Sequence, residues 1–365
     1  MKILTVIETM GVGGAERALV NILPELQELG IVCEVAILFK EDDLADELES
    51  LGVEVYKLDL SNKWNIFEAR KKINKLQKTH RYDIIHAHLF FAHFHTALSF
   101  LFNKKIKKVV TFHNLGFNEY PANTILKKIR KKIEEFCVKQ FEKKTAVSSA
   151  VKEHYAFHLN LKNIDVIHNS FPIKNIEKFK INLKEKNTIF NVLTPGRLVP
   201  EKGHKYLIEA INLLNKRGLE ITFFIVGSGP LEKSIKESIQ NIKNITYINA
   251  IPHNDLMQLY NKMDLIVIPS VHEAFGLVVG EAMIMGKAIV ATKVDGIIEM
   301  IENEKEGLLV PPRDANALAE AIERLYNNKA LCLSLANNAQ KKIKQFDTEI
   351  IAKQWQVYYE EMLNV

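Results

Sequence analysis

Apolar segments of strand length alternate with longer segments of helical period along nearly the whole chain. In the first half, strands are predicted at Lys2–Glu8, Val32–Leu38, Val53–Lys57, Ile84–Ala87, Lys108–Phe112, Thr145–Val147 and Asp165–Ile167. A second series is predicted at Ile189–Leu193, Ile221–Val226, Ile245–Ile248, Leu265–Ile268, Ala288–Ala291 and Leu308–Val310. Helical segments such as Ala15–Leu29 and Gly203–Lys216 separate the strands. This alternation is typical of an α/β protein with parallel sheets.

The two series of strands predict two domains. The stretch 171–187 between them is polar, lysine-rich and weakly periodic, as an interdomain linker is. At 365 residues the chain is long enough for two separate cores. We therefore predict an N-terminal domain at residues 1–170, a linker at 171–187 and a C-terminal domain at 188–347. The pattern favours two doubly wound, Rossmann-like domains that face each other across a cleft at the carboxyl ends of both sheets.

The composition indicates a folded protein of a reducing compartment. Apolar residues make up 47% of the chain and charged residues 25%, which excludes the disordered and fibrous classes. The three cysteines are far apart and match neither a zinc spacing nor a disulfide framework. The most apolar run, Leu89–Phe102, is shorter than the ~18 residues of a spanning helix, and no signal-peptide pattern precedes the first strand. We predict a cytoplasmic location, with peripheral contact to the cytoplasmic face of the inner membrane as a hypothesis.

The net charge is +5, and the excess of cations is concentrated in Lys104–Lys108 and in Ile125–Lys144, a segment with a helical pattern. The cations of Ile125–Lys144 include Lys127, Lys128, Arg130, Lys131 and Lys132. A basic amphipathic helix of this kind binds anionic lipid headgroups. A solvated helix face and a nucleic-acid surface are the alternatives.

Four histidines, His86, His88, His93 and His95, invite a metal hypothesis. No Asp, Glu or Cys supplies an obvious further ligand, and residues two apart on a helix point in different directions. We therefore expect them to be buried or to line a cleft, and we predict no metal site. His113 differs, because it follows the fifth strand at the carboxyl end of the sheet, where α/β proteins bind ligands.

The first turn, M-G-V-G-G-A-E-R at Met10–Arg17, contains glycines that suit close approach of backbone to a phosphate. It departs from G-x-G-x-x-G because Glu16 occupies the third glycine position. The acid that a nicotinamide enzyme needs at the end of the second strand is also missing, since Glu34 lies near its start. The turn therefore disfavours a dinucleotide site. A tight turn without a ligand remains an alternative.

Two motifs of the second half carry candidate chemistry. P-G-R-L-V-P-E-K-G at Pro195–Gly203 follows a strand and carries Arg197 and Lys202, which together suit a diphosphate. P-S-V-H-E-A-F-G-L-V-V-G-E-A-M-I-M-G places Glu273 in a loop and Glu281 in the first turns of a helix. Carboxylates beside a helix start could hold sugar hydroxyls next to a phosphate. Exposed cations and exposed glutamates without a ligand are the alternatives.

Taken in order, these motifs resemble those of the GT-B-fold retaining glycosyltransferases of family 4, also called glycosyl transferases group 1. The resemblance rests on G-G-A-E, T-F-H, G-R-L-V-P-E-K-G, V-G-S-G-P and H-E-A-F-G-L-V-V-G-E-A, and it extends over most of the chain. It implies that the last helix, in residues 348–365, crosses back to the first domain.

The resemblance also implies a catalytic set of His113, Glu273, Arg197 and Lys202. Arg197 and Lys202 would bind the donor's diphosphate, Glu273 would contact the transferred sugar, and Glu281 would hold the ribose. His113 would meet the sugar near the reacting carbon.

The remaining donor contacts implied by the resemblance involve backbone. They are assigned to Phe275, Gly276, Leu277 and Val278, to Gly13 and Gly14 of the first turn, and to residues near Asn249–Pro252 for the base. A nucleoside diphosphate is a good leaving group, so cations and N–H groups suffice without an acid. The resemblance therefore implies no cofactor and no metal.

The implied activity is transfer of a hexose or N-acetylhexosamine from a nucleotide-sugar, with UDP as the expected nucleotide. The expected acceptor is a glycan, lipid-linked or of lipopolysaccharide or capsule type, with no nucleic-acid partner. A GT-B-fold sugar-nucleotide epimerase and a non-catalytic nucleotide-sugar-binding homologue are the alternatives.

Overall fold

A computed structural model describes residues 1–103, 105–119, 125–180 and 189–364. The chain divides into two compact units. The first unit contains Met1–Phe171 and Phe346–Val365, and the second contains Pro172–Gln345.

The first unit is built on a seven-stranded sheet whose pairs are all parallel, in the order β3-β2-β1-β4-β5-β6-β7. The strands are β1 Lys2–Ile7, β2 Val32–Ile37, β3 Glu54–Lys57, β4 Ile84–His88, β5 Lys107–Phe112, β6 Lys143–Ala146 and β7 Asp165–Val166. The order of the chain reverses between β1 and β4, which makes the gap beyond their carboxyl ends the expected ligand crevice of this sheet.

Helices join these strands and cover the sheet. They are α1 Gly14–Glu28, α2 Ala45–Ser50, α3 Ile66–His80, α4 Phe90–Ser99, α5 Gly116–Glu119, α6 Ile125–Val138 and α7 Ser149–Leu159. The starts of α3 and α7 are capped by the side chains of Asn65 and Ser148, which accept hydrogen bonds from the N–H groups of Glu68 and Val151.

The second unit contains a six-stranded parallel sheet in the order β10-β9-β8-β11-β12-β13. Its strands are β8 Phe190–Pro195, β9 Ile221–Val226, β10 Ile245–Ile248, β11 Leu265–Ile268, β12 Ala288–Thr292 and β13 Leu308–Val310. Its helices are α8 Ile173–Glu177, α9 His204–Lys216, α10 Glu232–Ile239, α11 His253–Asn261, α12 Leu277–Ile284, α13 Ile297–Met300, α14 Ala315–Tyr326 and α15 Lys329–Lys342. Here the chain order reverses between β8 and β11.

The last helix, α16 at Thr348–Leu363, belongs to the first unit. Its buried residues Ile351, Trp355 and Tyr359 join the apolar core that α1 and β1 also form. Burial of such side chains, at ~25 cal/mol per Å² of apolar surface, holds the helix against that unit.

The strand pattern of the sequence is confirmed, because each predicted strand overlaps an observed one. The prediction of one helical segment through Ile125–Lys144 is wrong. The helix ends at Val138, and Lys143 and Lys144 open β6, where they pair with Val109 and Val110 of β5. Hydrogen bonding to a neighbouring strand here prevails over helical propensity.

Part of the predicted linker is folded. Within 171–187, Ile173 and Ile176 are buried on α8, and α8 lies against α12. The carbonyl of Phe179 accepts a hydrogen bond from the Asn261 side chain at 2.6 Å. Residues 172–180 therefore pack within the second unit, while residues 181–187 lie outside the described residues.

Candidate active site

In the second unit, two loops follow the adjacent strands at which the chain order reverses. The first loop runs from Gly196 to Gly203 after β8, and the second runs from Pro269 to Gly276 after β11. Ligands of open α/β sheets bind at such a reversal. The cations and carboxylates named from the sequence lie in these loops and in α12.

A close backbone approach holds the two loops together. Gly203 has φ +66°, and a Cβ atom on it would lie 2.0 Å from the carbonyl oxygen of Pro269. The N–H group of Val271 donates to the carbonyl of Glu201 at 2.7 Å. Only glycine fits at position 203, and it positions the preceding residue, Lys202, beside the second loop.

Lys202 and Glu273 form an ion pair between the loops, with Nζ 2.5 Å from Oε2. The same Glu273 oxygen accepts a hydrogen bond from the hydroxyl of Ser270 at 3.2 Å. The N–H group of Glu273 donates to the Asp295 carboxylate at 3.1 Å. The Arg197 side chain is exposed, and no ion-pair partner for it is found among residues 1–103, 105–119, 125–180 and 189–364.

Glu281 lies in the second turn of α12 and is buried, with 8% of its surface exposed. One carboxylate oxygen lies 3.0 Å from His253 Nε2, and the other accepts from the Tyr260 hydroxyl at 3.4 Å. Burial, aided by the Glu281 charge, raises the pKa of Tyr260 well above its usual value. Tyr260 therefore stays protonated and donates its hydroxyl hydrogen to the Glu281 carboxylate.

The start of α12 presents backbone N–H groups. Gly276 has φ +94° and immediately precedes the helix. The residue before it, Phe275, is buried. Leu277 and Val278 occupy the first two helical positions, whose N–H groups have no carbonyl partner within the helix. A positive φ at Gly276 turns the chain into the helix at low conformational cost.

In the first unit, the glycine turn lies at the start of α1. Gly13 is the residue before the helix, and Gly14 is its first residue. A Cβ atom on Gly13 would lie 2.3 Å from a carboxylate oxygen of Glu16. The Glu16 carboxylate also accepts from the Thr9 hydroxyl at 3.4 Å. Gly13 therefore leaves room for a carboxylate at this turn, which the sequence pattern did not indicate.

His113 follows β5, and its Nε2 atom lies 2.7 Å from Nδ1 of His88. Burial lowers the pKa of His113 to about 4 and the pKa of His88 well below its usual value. Both rings are therefore neutral near pH 7, so one donates and the other accepts in this contact. His113 borders a pocket of about 150 Å³ and also a smaller cavity of about 30 Å³.

The other clustered histidines are buried. His86 contacts the Tyr359 hydroxyl at 2.8 Å through Nδ1 and the Thr111 hydroxyl at 2.6 Å through Nε2. Burial lowers the pKa of His93 to about 3. Within the described parts of the chain, no group of three His, Cys, Asp or Glu side chains has the geometry of a metal site.

The larger pocket lies at the reversal of chain order in the first sheet. Glu8 follows β1, Phe90 follows β4, and His113 and Asn114 follow β5. Helix α6 lines the pocket as well, with Lys127, Arg130, Lys131 and Glu134. The pocket thus combines cations, carboxyls and histidine at the carboxyl edge of the sheet.

Two family models match adjoining parts of this chain and together extend over residues 12–342. The model described as Glycosyltransferase Family 4 matches residues 12–174, and the model described as Glycosyl transferases group 1 matches residues 174–342. The chain belongs to the GT-B glycosyltransferases. The resemblance of its ordered motifs to this family is thereby confirmed, and the activity class is glycosyl transfer.

Relatives of this glycosyltransferase come from several organisms. The capsular polysaccharide biosynthesis glycosyltransferase CapM of Staphylococcus aureus is 30% identical over 200 residues, which are 51% of this chain and 52% of CapM. The uncharacterized glycosyltransferase MJ1607 of Methanocaldococcus jannaschii is 26% identical over 348 residues, 88% of each chain. The match to CapM thus spans about half of that relative's length.

Solved structures share the fold of this glycosyltransferase. Anabaena Alr3699/HepE in complex with UDP-glucose has a TM-score of 0.83 at 24% identity, with 99% of this chain and 100% of that chain covered. A glycosyltransferase from Rickettsia africae has a TM-score of 0.80 at 23% identity, covering 99% and 98% of the two chains. The predicted GT-B fold, with two Rossmann-like parallel-sheet domains, is confirmed.

Several site residues of this glycosyltransferase have no signal in its sequence pattern. His253 and Tyr260 contact Glu281, and Asp295 contacts the loop of Glu273. His253 and Tyr260 reach Glu281 through the packing of α11, whereas Asp295 follows β12, the neighbour of β11 in the sheet. His88 was expected from the sequence to be buried or to line a cleft, but its contact with His113 was not expected. Among the described residues, no helix is both long enough and apolar enough to cross a membrane.

Proposed function

We propose that this glycosyltransferase moves a hexose or N-acetylhexosamine from a UDP-sugar to a glycan acceptor, with retention of anomeric configuration and without a metal. The observation that carries the proposal is the ion pair of Lys202 and Glu273 at the strand reversal of the second unit. Lys202 would bind the diphosphate, and Glu273 directly beside it would accept hydrogen bonds from the sugar hydroxyls.

The second unit has a candidate binding group for the diphosphate, the sugar and the ribose of the donor. The ammonium of Lys202 and the exposed guanidinium of Arg197 would hold the diphosphate, together with the N–H groups of Leu277 and Val278. Glu273 would accept hydrogen bonds from the sugar. Glu281, held by Tyr260, would accept them from the ribose hydroxyls.

The chemistry follows from the leaving group. A departing UDP gains negative charge. Arg197 and Lys202 would stabilise this charge, so no bound metal ion is needed. Because the acceptor would attack from the face that UDP leaves, no side-chain nucleophile is needed. In the first unit, the neutral His113 would contact the sugar near the reacting carbon, and the backbone of Gly13 and Gly14 would approach the diphosphate.

Relatives support the choice of donor and acceptor class. HepE is crystallised with UDP, with UDP-glucose, and with UDP and glucose. CapM is named for capsular polysaccharide biosynthesis. A Campylobacter jejuni relative, 29% identical over 207 residues, is named as an N-acetylgalactosaminyltransferase acting on a diphospho-undecaprenol-linked sugar. We accordingly propose a lipid-linked or surface-polysaccharide acceptor, met at the cytoplasmic face of a membrane.

A ligand screen tests the donor assignment directly. Thermal unfolding of the full chain would be followed with UDP, GDP, ADP and a panel of their sugars, with and without EDTA. Ligand at ~100 times its dissociation constant adds ~2.7 kcal/mol of stability. We expect UDP and a UDP-hexose to raise Tm and EDTA to change nothing. Stabilisation by GDP alone, or loss of the shift with EDTA, would overturn the donor or the metal assignment.

The configuration of the product tests retention. Once the screen identifies a donor, the released or transferred sugar is examined by proton NMR for its anomeric coupling. Retention predicts that the product keeps the α configuration of an α-linked donor. A β-linked product would overturn that part of the proposal, and conversion of the donor to its epimer without any acceptor would overturn the transfer itself.

A further inference from the structure

Helix α6 carries two sets of residues on neighbouring faces. Lys127, Arg130, Lys131 and Glu134, at spacings of three and four, line the pocket that contains His113. Lys128 and Lys132 lie one position further along the helix and line a different surface. The five cations named from the sequence therefore do not form one basic surface.

The second surface is an apolar groove of about 530 Å³ between α4 and α6. It is lined by Phe94 and Leu98 of α4 and by Ile125, Ile129, Ile133 and Phe136 of α6. Ile129 and Phe136 each leave 50% of their surface exposed. Contiguous exposed apolar surface is a common feature of sites that bind ligands, partners or membranes. Lys128 and Lys132 add positive charge to the same groove.

We propose that α6 binds an acceptor in which a sugar is joined through a phosphate or diphosphate to a hydrocarbon chain. The pocket-facing cations Lys127, Arg130 and Lys131 hold the phosphate, and the groove between α4 and α6 holds the chain. This inference rests on the proposed function, and it specifies the acceptor of that reaction and the surface that recognises it.

The charge of the pocket favours an anion. Three cations face two carboxyls, Glu8 and Glu134. Burial raises the pKa of Glu8, and it raises the pKa of Glu134 to about 7 although Arg130 opposes the shift. Both carboxyls are thus less negative than exposed ones, and the cations outweigh them. Arg130 is further held over the ring of Phe90, with its guanidinium carbon 4.2 Å from the centroid.

The position of the pocket suits an acceptor. His113 and Asn114 share the pocket with the cations at the carboxyl edge of the first sheet. A sugar attached to a phosphate bound by α6 would therefore lie next to the histidine that we assign to the reacting centre. The apolar groove lies on the neighbouring face of the same helix, α6. A single molecule with an anionic centre and a hydrocarbon tail therefore matches both the pocket and the groove. A soluble oligosaccharide would leave the groove empty.

Binding of defined lipid phosphates tests the inference with the full chain. Isothermal titration calorimetry would use farnesyl diphosphate, inorganic diphosphate and farnesol as probes. Saturating UDP would be present throughout, so that the donor site is occupied. We expect farnesyl diphosphate to bind at least about tenfold more tightly than either inorganic diphosphate or farnesol, because two subsites act together.

Two variants separate the faces of the helix. In the first, Lys127→Gln with Lys131→Gln, binding of both diphosphates weakens by about tenfold or more, as expected for lost contacts to a charged group. The second combines Ile129→Ser with Phe136→Ser and lowers the affinity for farnesyl diphosphate to that for inorganic diphosphate. The matched control, Lys152→Gln with Lys162→Gln, removes two exposed charges of the same unit and leaves both affinities unchanged.

The outcomes distinguish this inference from the donor proposal. If UDP does not bind the wild-type chain, the donor proposal fails independently of α6. If UDP binds but the first variant binds farnesyl diphosphate as the wild type does, the phosphate subsite is wrong. If the wild type binds vesicles of phosphatidylglycerol but not farnesyl diphosphate, α6 contacts a membrane surface only, and the inference is overturned. Unchanged Tm in each variant shows that folding is intact.

Discussion

The Nζ atom of Lys202 lies 2.5 Å from the Oε2 atom of Glu273, and each residue belongs to the loop after a different strand. The two strands, β8 and β11, are neighbours at the point where the chain order reverses. A diphosphate that contacts Lys202 therefore has its attached sugar within reach of Glu273. The ion pair itself is partly exposed, so we assign its importance to donor binding and not to stability.

Removing either of the two cations that we propose to bind the donor's diphosphate should slow transfer strongly. Arg197→Ala and Lys202→Ala each delete one of the charge contacts that we propose to the leaving diphosphate, and contacts of this kind contribute ~3–4 kcal/mol to transition-state stabilisation. We expect kcat/KM for the identified UDP-sugar to fall by ~100-fold or more. Steady-state release of UDP measures the effect.

The control for this experiment is Lys205→Ala, on the first turn of α9. The Lys205 side chain is 77% exposed and lies 3.9 Å from Glu209, so its removal should change kcat/KM by less than about twofold. If Lys205→Ala and Lys202→Ala have the same effect, the diphosphate role of Lys202 is wrong.

Glu281 should recognise the ribose hydroxyls. Comparing two ligands that differ only in these hydroxyls distinguishes this role from a general effect of the substitution on folding. For the wild type, UDP should bind more tightly than 2′,3′-dideoxyuridine diphosphate by ~10-fold or more, the value of a hydrogen bond to a charged group. In Glu281→Gln that difference should largely disappear. Calorimetric titration of both ligands measures it, and an undiminished preference for UDP would contradict the assignment.

Substituting Gly203 should disturb both loops of the site. In Gly203→Ala the added Cβ would lie 2.0 Å from the Pro269 carbonyl oxygen, so the loop of Lys202 must move away from β11. Gly218 is the matched control, because it also has positive φ (+74°) but no atom within 4 Å of an added Cβ. We expect Gly218→Ala to cost only the ~1–2 kcal/mol of the left-handed conformation.

Gly203→Ala should therefore lower the free energy of unfolding by more than Gly218→Ala, and it alone should weaken UDP binding. Urea denaturation and calorimetry give the two quantities. Equal destabilisation in both variants, with UDP affinity preserved, would show that the contact between Gly203 and Pro269 is easily relieved.

Periodicity was sufficient to predict the strands but not their order in the sheets. Buried parallel strands are short, almost wholly apolar runs, and Leu265–Ile268 was predicted at the bounds that the structure has. The prediction of one helix through Ile125–Lys144 was wrong because the lysines continue past Val138 into β6. A run of lysines does not distinguish a helix from a strand near the edge of a sheet. Only pairing with β5 determines where that helix ends.

Site residues could be predicted where they belong to one short sequence motif. Contacts between residues that are far apart in sequence could not be predicted. Lys202 and Glu273 were named from separate motifs, but their contact depends on β8 lying next to β11. Tyr260 and His253 have no motif of their own, since their roles arise from the packing of α11 beside Glu281. The division of the α6 cations between a pocket and a groove likewise depends on which elements lie on each side.

His204 gives a prediction for the pH dependence of stability. It is buried on α9, and neither of its ring nitrogens has a hydrogen-bond partner among the described residues. Burial, with a smaller contribution from the charge of Lys202, lowers the pKa of His204 to about 4. The unfolded chain, with an ordinary histidine pKa near ~6.5, therefore binds a proton at a pH where the folded chain does not.

Because the folded pKa is the lower one, this residue destabilises the fold increasingly as pH falls from ~6.5 toward 4. Between pH 7 and pH 5 the loss amounts to roughly 2 kcal/mol. His204→Leu removes the titrating group and should flatten the dependence by that amount, while the other buried histidines contribute equally to both proteins. Urea denaturation of the wild type and the variant at pH 7, 6 and 5 measures the difference. Parallel stability curves for the two proteins would show that His204 accepts a proton in the folded state as readily as in the unfolded one.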